Sequence, residues 1–426
     1  MSDTNPYRQK QSEWSDWTID RRAQVLGQII AAASVVALIV GINLVLFTPS
    51  IRSRVDHLVL RVQTEIKKRR PHDRFVPTPV PTPSLPATPG TVTAGEATAT
   101  PTPVPMATVN PTPTVETTPL PALVQLENDC YEPQGWNNCG PATLAMALRF
   151  YGWTEDQYAV ALATKPDKND KNVSPEEMLV YAYSLGDKYA VIGYAADTQV
   201  LKLLISNGFP VIVETWFIPE PDDEMGHYRL LTGYDDTTRQ FTTQDAYNGA
   251  DQLVSYDELE SLWKVFNRAY VVVCEAERAQ DLSVLLGPTI DPEAMYRSAL
   301  EVALAETAAN PGDPYAWFNV GTNYVGLGEY EKAAEAYDRA RMLKLPWRML
   351  WYQFGPFEAY LATGRYQDVI ALADANLEVT ANLEESYYYR ALARRAIGDE
   401  EGARADLEKA LQYNPLFERA SEALGE

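Results

Sequence analysis

A chain of 426 residues with 46% hydrophobic content is long enough to bury more than one core. Its formal net charge is −22, carried mainly after residue 125, and this acidity excludes nucleic acid as the partner of the folded part. Three cysteines and three histidines, far apart, lack the close ligand spacing of a zinc site, and no cofactor is expected. In chain order, residues 1–24 form an N-terminal tail. Residues 25–47 are free of charge and long enough to cross about 30 Å of hydrocarbon as a helix, so a single transmembrane anchor is expected there. Residues 48–74 place Ile51, Val55, Leu58, Val62 and Ile66 on one helical face, with eight basic residues from Arg52 to Arg74. That pattern predicts a juxtamembrane helix, so residues 25–74 as a whole are expected to meet membrane lipid. Residues 75–122 hold 13 prolines and 13 threonines, a composition that favours extended polyproline II and reads as a disordered stalk. The basic cluster after the span favours a cytoplasmic C-terminal side. The Pro/Thr stalk points the other way, and with it we expect extracytoplasmic C-terminal domains.

Residues 123–278 carry the chemistry. Cys139 opens the apolar run Cys139-Gly-Pro-Ala-Thr-Leu-Ala-Met-Ala-Leu148, where Pro141 suits a first helical turn. A helix N-terminus puts partial positive charge beside the sulfur and favours the nucleophilic thiolate. Gln134, five residues upstream, offers an amide that can donate to an oxyanion. Ser174-Pro-Glu-Glu177 and Ser255-Tyr-Asp-Glu258 are capping-box starts for helices over residues 178–183 and 259–264. Asp197 caps a helix over residues 200–206, ahead of a strand over residues 210–217. His227 is the sole histidine after Cys139. It lies on a strand that turns through Asp235-Asp-Thr-Thr and returns past Asp245. A hairpin centred on Asp236 would set His227 directly opposite Asp245. The duller readings are an inert buried Cys139, a Cys130–Cys139 disulfide, strand core for Cys274 and a packing role for Trp136.

The Gln134…Cys139-Gly-Pro segment, the strand Gly208-Phe-Pro-Val-Ile-Val-Glu214, Gly226-His-Tyr…Gly-Tyr-Asp235 and Gln244-Asp245 together resemble the peptidase C-39-like group, relatives of bacteriocin-processing peptidases. Where members usually have proline after the aspartate, Ala246 stands here. The resemblance implies an α+β papain-like fold, with a helix bearing the cysteine packed on an antiparallel sheet. It also implies Cys139 as nucleophile, His227 as base, Asp245 as orienter and Gln134 as oxyanion donor.

Residues 285–424 repeat. Trp317-Phe-Asn-Val-Gly321-Thr-Asn-Tyr324, then Gly328, Ala333, Tyr337 and Ala340, match the tetratricopeptide pattern with valine in place of leucine. Gly328, Gly364 and Gly398 mark successive units, with Val369 and Asn376 at positions that usually take small residues. An all-α stack of helix pairs that binds a protein partner is expected. The sequence as a whole predicts a membrane-anchored cysteine peptidase acting on a peptide or protein substrate. A non-catalytic scaffold, and an acyltransferase or amidase using the same residues, stay open.

Overall fold

The computed structural model describes residues 75–81 and 119–425, except 128, 168–169 and 219–223. The expected span at 25–47, the basic helix at 48–74 and residues 82–118 of the stalk lie outside them. No helix among the described residues is long and apolar enough to cross a membrane. The described residues form one compact body, except Pro133–Trp136, which belongs to a second unit.

After the short strand β1 (Leu123–Gln125) come three helices, α1 (Cys139–Arg149), α2 (Gln157–Thr164) and α3 (Pro175–Ser184). Strand β2 (Lys188–Gly193) and helix α4 (Thr198–Ser206) follow. Strands β3 (Val211–Phe217), β4 (Met225–Asp235), β5 (Gln240–Asp245) and β6 (Gly249–Ser255) then run in succession. Helix α5 (Tyr256–Trp263), strand β7 (Tyr270–Glu275) and helix α6 (Ala279–Leu286) complete this half. The predicted caps are where the sequence put them. Ser174 accepts from Glu177 N while Glu177 Oε2 accepts from Ser174 N at 2.7 Å, and Ser255 and Asp197 cap α5 and α4. Each reciprocal bond satisfies a donor that the helix start would otherwise leave open.

The strands form an antiparallel sheet in the order β2-β7-β3-β4-β5-β6, with β1 added beside β4. Alternate residues of the central strands enter opposite cores, as the two-residue period of a strand requires. Ile212, Leu230, Val271 and Val273 pack with α1 and α3. Val211, Val213, Leu231, Val272 and Cys274 pack with α4, α5 and α6. The expected hairpin register is corrected. Leu230 faces Gln244 and Leu231 faces Thr243, while Tyr234 faces Phe241, because a bulge lies between Leu231 and Gly233. Cys130, Cys139 and Cys274 are all free thiols, so no disulfide removes Cys139.

The C-terminal half is helical: α7 (Pro292–Ala309), then the pairs α8 (Pro314–Gly326) with α9 (Tyr330–Met342), α10 (Gly355–Ala362) with α11 (Tyr366–Val379), and α12 (Glu384–Ala396) with α13 (Glu400–Tyr413), closed by α14 (Glu418–Leu424). Gly328, Gly364 and Gly398 turn each pair at φ of +72, +71 and +88°, a region that side-chain-bearing residues avoid. The weak middle unit has a physical reason. Asn376 replaces a small residue because its amide donates to Leu350 O at 2.9 Å and to Ser386 Oγ at 3.0 Å. Leu350 belongs to an insertion between α9 and α10 that contains the 3-10 turn Trp347–Trp351.

The helix pairs pack on the sheet half through the first helix of the pair. Along one stripe of α8, Tyr315 accepts from Trp216 Nε1, Asn319 donates to Lys264 O, and Asn323 exchanges amide bonds with Asn267. Below α12, Asn172 reaches Glu385. Trp216, Val265 and Phe266 share one apolar cluster with Phe318, Tyr337 and Leu350, so the two halves have a continuous core. Along this stripe the repeat half is engaged with the chain's own sheet half.

Candidate active site

Helix α1 presents Cys139 as its first residue, and every residue from Gly140 to Leu148 is buried. Its N-terminus has no side-chain cap. The amide of Asn138, just before the helix, donates to Gln157 Oε1 at 3.1 Å. The helix start therefore keeps its partial positive charge for whatever lies in front of it.

Strand β4 brings His227 and the Tyr228 backbone N–H to the half-buried Cys139 sulfur. His227 Nε2 lies 2.9 Å from Asp245 Oδ1, and both side chains are buried. With Nε2 committed to the carboxylate, Nδ1 is the nitrogen left for the thiol. This contact survives the corrected register because it runs diagonally across β4 and β5. Asp245 lies level with Arg229, and a diagonal neighbour two residues on remains within side-chain reach.

Asp245 is also held by residues that the sequence reading missed. Arg229 Nε donates to its Oδ2 at 3.1 Å, and Arg229 Nη1 donates to Thr215 Oγ1 at 2.7 Å. The turn after β5 closes on the same carboxylate. The Tyr247 and Asn248 backbone N–H groups reach Oδ1, and Asn248 Nδ2 reaches Oδ2, each at 2.9 Å. An Asp followed three residues later by Asn is a local turn signal that was readable. With two successive backbone donors supplied by this turn, Ala246 serves without proline. Phe217 lies 5.1 Å from the His227 ring, centroid to centroid, and 4.7 Å from Tyr247, which walls the imidazole with aromatic carbon.

These contacts set the charge states. Burial pushes the Cys139 thiol up, but the His227 hydrogen bond and charge, the Tyr228 N–H and the Lys165 ammonium together bring it below its ordinary value. Burial opposes protonation of His227, and Asp245 and Cys139 overcome it, raising the imidazole to about 9. Burial also opposes ionisation of Asp245, but His227, Arg229 and Asn248 hold its carboxyl well below the usual range. Both shifts favour the thiolate–imidazolium form of the pair over the neutral one. Cys130 and Cys274, buried without an imidazole, are pushed up to about 11. Lys165 is buried and donates to Asn137 O at 2.8 Å and Asp170 O at 2.9 Å, fixing the loop that enters α1. No short-range sequence signal points to it.

Three of the four residues proposed from sequence, Cys139, His227 and Asp245, lie together. Gln134 is buried in Pro133–Trp136, which belongs to the separate unit. Of the acidic loop before His227, residues 219–223 lie outside the described residues; Glu224 O accepts from Arg348 Nη1 at 3.0 Å.

Residues 117–271 match the model of the Peptidase_C39 like family. The chain carries a peptidase C39-like domain. Among solved structures it is similar to a protein described as a C39-like peptidase from Bacillus anthracis, at 20% identity and a TM-score of 0.31, covering 36% of this chain and 98% of that one. It is also similar to MamA, residues 41 to the end, from Desulfovibrio magneticus RS-1, at 17% identity and a TM-score of 0.29, covering 35% and 79%. No curated protein sequence matches the chain.

The repeat half closes one side of the C39-like site. A Cβ built on Gly226, next to His227, would meet Tyr352 Cδ1 and Cε1 at 2.9 Å. Trp216 and Phe266 rings back Tyr352, both at 6.2 Å, so the ring cannot swing away. Gly226→Ala is expected to cost about 1–3 kcal/mol by overpacking, read as a lowered denaturation midpoint. An unchanged midpoint would show that Tyr352 does not press on this strand.

Proposed function

We propose that the C39-like domain is a cysteine hydrolase that cleaves peptide amide bonds. The observation that carries this reading is the buried, 2.9 Å His227–Asp245 pair beside a thiol at an uncapped helix N-terminus. In the proposed reaction the Cys139 thiolate attacks the amide carbonyl carbon, forming a C–S bond while the carbonyl oxygen takes the charge. The Cys139 backbone N–H stabilises that oxyanion. The His227 imidazolium gives its proton to the leaving nitrogen as the C–N bond breaks. Neutral His227 then takes a proton from water, whose oxygen attacks the thioester and releases the acid and the thiolate. Asp245 keeps the imidazole in one orientation and favours its charged form throughout. We further propose that residues 25–47 anchor the protein in a membrane, with the domains on the extracytoplasmic side.

The test is chemoselectivity in the full chain. A peptidyl thiol-directed acyl probe at pH 6–7 is expected to modify Cys139 and to leave Cys130 and Cys274 untouched, as mass spectrometry of the digest would show. Their thiols, at about 11, are protonated at that pH. Equal, slow modification of all three would remove the hydrolase reading.

A further inference from the structure

Residues 75–81, read from composition as the start of a disordered stalk, are instead seated on the repeat half. Phe75 forms an antiparallel bridge with Pro346, and Val76 N donates to Leu345 O at 2.9 Å. Val76 is 4% exposed and belongs to the same apolar cluster as Leu345, Leu350, Val369 and Leu372. Arg341, at the end of α9, then takes two successive carbonyls of the segment. Its Nε donates to Pro77 O at 2.7 Å and its Nη2 to Thr78 O at 3.0 Å. Its Nη1 donates to Asp368 Oδ1 at 2.8 Å, and that same oxygen accepts from Val80 N at 3.0 Å. Arg365 fixes the other oxygen of Asp368, and it also pairs with Asp338.

The chemistry of this site matches its occupant. A segment alternating with proline has a carbonyl at every residue but an N–H only at every second one. A guanidinium has donors only, so it reads carbonyls that a sheet edge could not pair fully. Asp368 supplies an acceptor opposite the N–H of Val80, between Pro79 and Pro81. With the segment in place the Arg341 side chain is 1% exposed, and its Nε and Nη2 donors are both paired with the segment's carbonyls. Proline also fixes the backbone of the segment beforehand and reduces the entropy lost on docking.

We propose that the α9–α11 edge of the repeat half is a receptor for a Val-Pro-Thr-Pro-Val-Pro peptide, and that the chain's own Val76–Pro81 is its occupant. The docked segment holds the catalytic and repeat halves at the beginning of the proline-rich stretch, not at its end. The pentapeptide Pro77-Thr-Pro-Val-Pro81 recurs as Pro101-Thr-Pro-Val-Pro105, but there Thr100 takes the place of Val76. Burying a hydroxyl in the Val76 pocket disfavours the second copy, so the pocket selects the first.

The test uses the full chain and a synthetic peptide of residues 74–82. Hydrogen exchange of the Val76 and Val80 amides is expected to be at least tenfold slower in the chain than in the free peptide. This protection should hold unchanged from micromolar to hundredfold higher protein concentration. A full chain carrying Val76→Asp and Val80→Pro, changes confined to the segment and outside the repeat fold, is expected to lose it at the residue 76 amide, the one still present, and to bind the added peptide. The wild-type chain, already filled, should not bind it. A peptide with Thr at the Val76 position should bind the variant about tenfold more weakly. Exchange as fast as in the free peptide, or a variant that takes up no peptide, would overturn the proposal. Protection lost on dilution would give the site to a second copy and overturn the cis assignment.

Discussion

His227→Ala is expected to slow acylation of Cys139 at pH 7 by roughly 10–100-fold and to abolish hydrolysis, with a loss of about 10³ or more. The wild-type thiol is brought below its ordinary value chiefly because the imidazole beside it outweighs its burial. Without the ring, burial remains, and the thiol should rise toward the value of about 11 that Cys130 and Cys274 show. At pH 7 such a thiol is ionised to about one part in 10⁴. The higher intrinsic nucleophilicity of a more basic thiolate returns roughly half of that loss on a logarithmic scale. Hydrolysis recovers less, because its leaving nitrogen also loses the proton donor. The deciding measurement is the pH profile of labelling. The variant should climb tenfold per pH unit through pH 9, whereas the wild type should be nearly flat there. Overlapping profiles would mean that His227 does not govern the thiol.

Much of this site was legible in the residues themselves. Cys139 before an alanine-rich run, a sole downstream histidine and an Asp at the return of a hairpin identify the three side chains without coordinates. What failed was the pairing. The turn Asp236–Arg239 displaces the register from the expected one, the bulge between Leu231 and Gly233 takes back one residue of that displacement, and a bulge has no reliable local signature. The His227–Asp245 contact exists because the side chains lean across the diagonal, a tolerance that the simple opposed-pair argument did not use. Lys165 and Arg229 were missed for another reason. Each acts through charge on a group distant in sequence, and a charged residue in a strand or loop reads by default as solvated surface.

The relation between the two halves was not legible at all. Helix caps, the turn glycines and the small-residue positions specify each unit from within its own sequence, so they can be read one unit at a time. The contacts of Tyr315, Asn319 and Asn323 with the sheet half belong to no repeating position. The same holds for Arg341, whose carbonyl partners lie more than 260 residues earlier. In the repeat pattern it is only a basic residue in a last helical turn, where it reads as dipole compensation. Tyr352 comes from an insertion that breaks the repeat spacing and packs against Gly226, next to His227. The insertion thus gives the repeats a part in shaping the site as well as in holding the chain.

Asp245 carries the largest expected effect on stability, and its two substitutions separate orientation from folding. Asp245→Ala leaves the buried Arg229 without its carboxylate partner and strips the acceptor from the Tyr247 and Asn248 N–H groups. Breaking a buried pair in this way is expected to cost about 3–5 kcal/mol, seen as a lowered denaturation midpoint at pH 7. Asp245→Asn keeps an oxygen for the turn and should fold, yet hydrolysis should fall by about 10³–10⁴ because the imidazole loses its charged partner. The pH dependence of stability gives an independent readout. Folding raises His227 from 6.5 to about 9, so its contribution is fully present below pH 6.5 and is lost as pH rises through about 9. Folding depresses Asp245, so its contribution is present above pH 4 and is lost only as pH falls below that. In Asp245→Asn the burial of His227 acts without its main opponent, only Cys139 still opposing it, and the imidazole should titrate below the wild-type value of about 9. Its decline in stability should move to lower pH accordingly. A nuclear magnetic resonance titration of the His227 ring carbons would read this directly, and a ring that still titrates near 9 would show that Asp245 does not hold its charge.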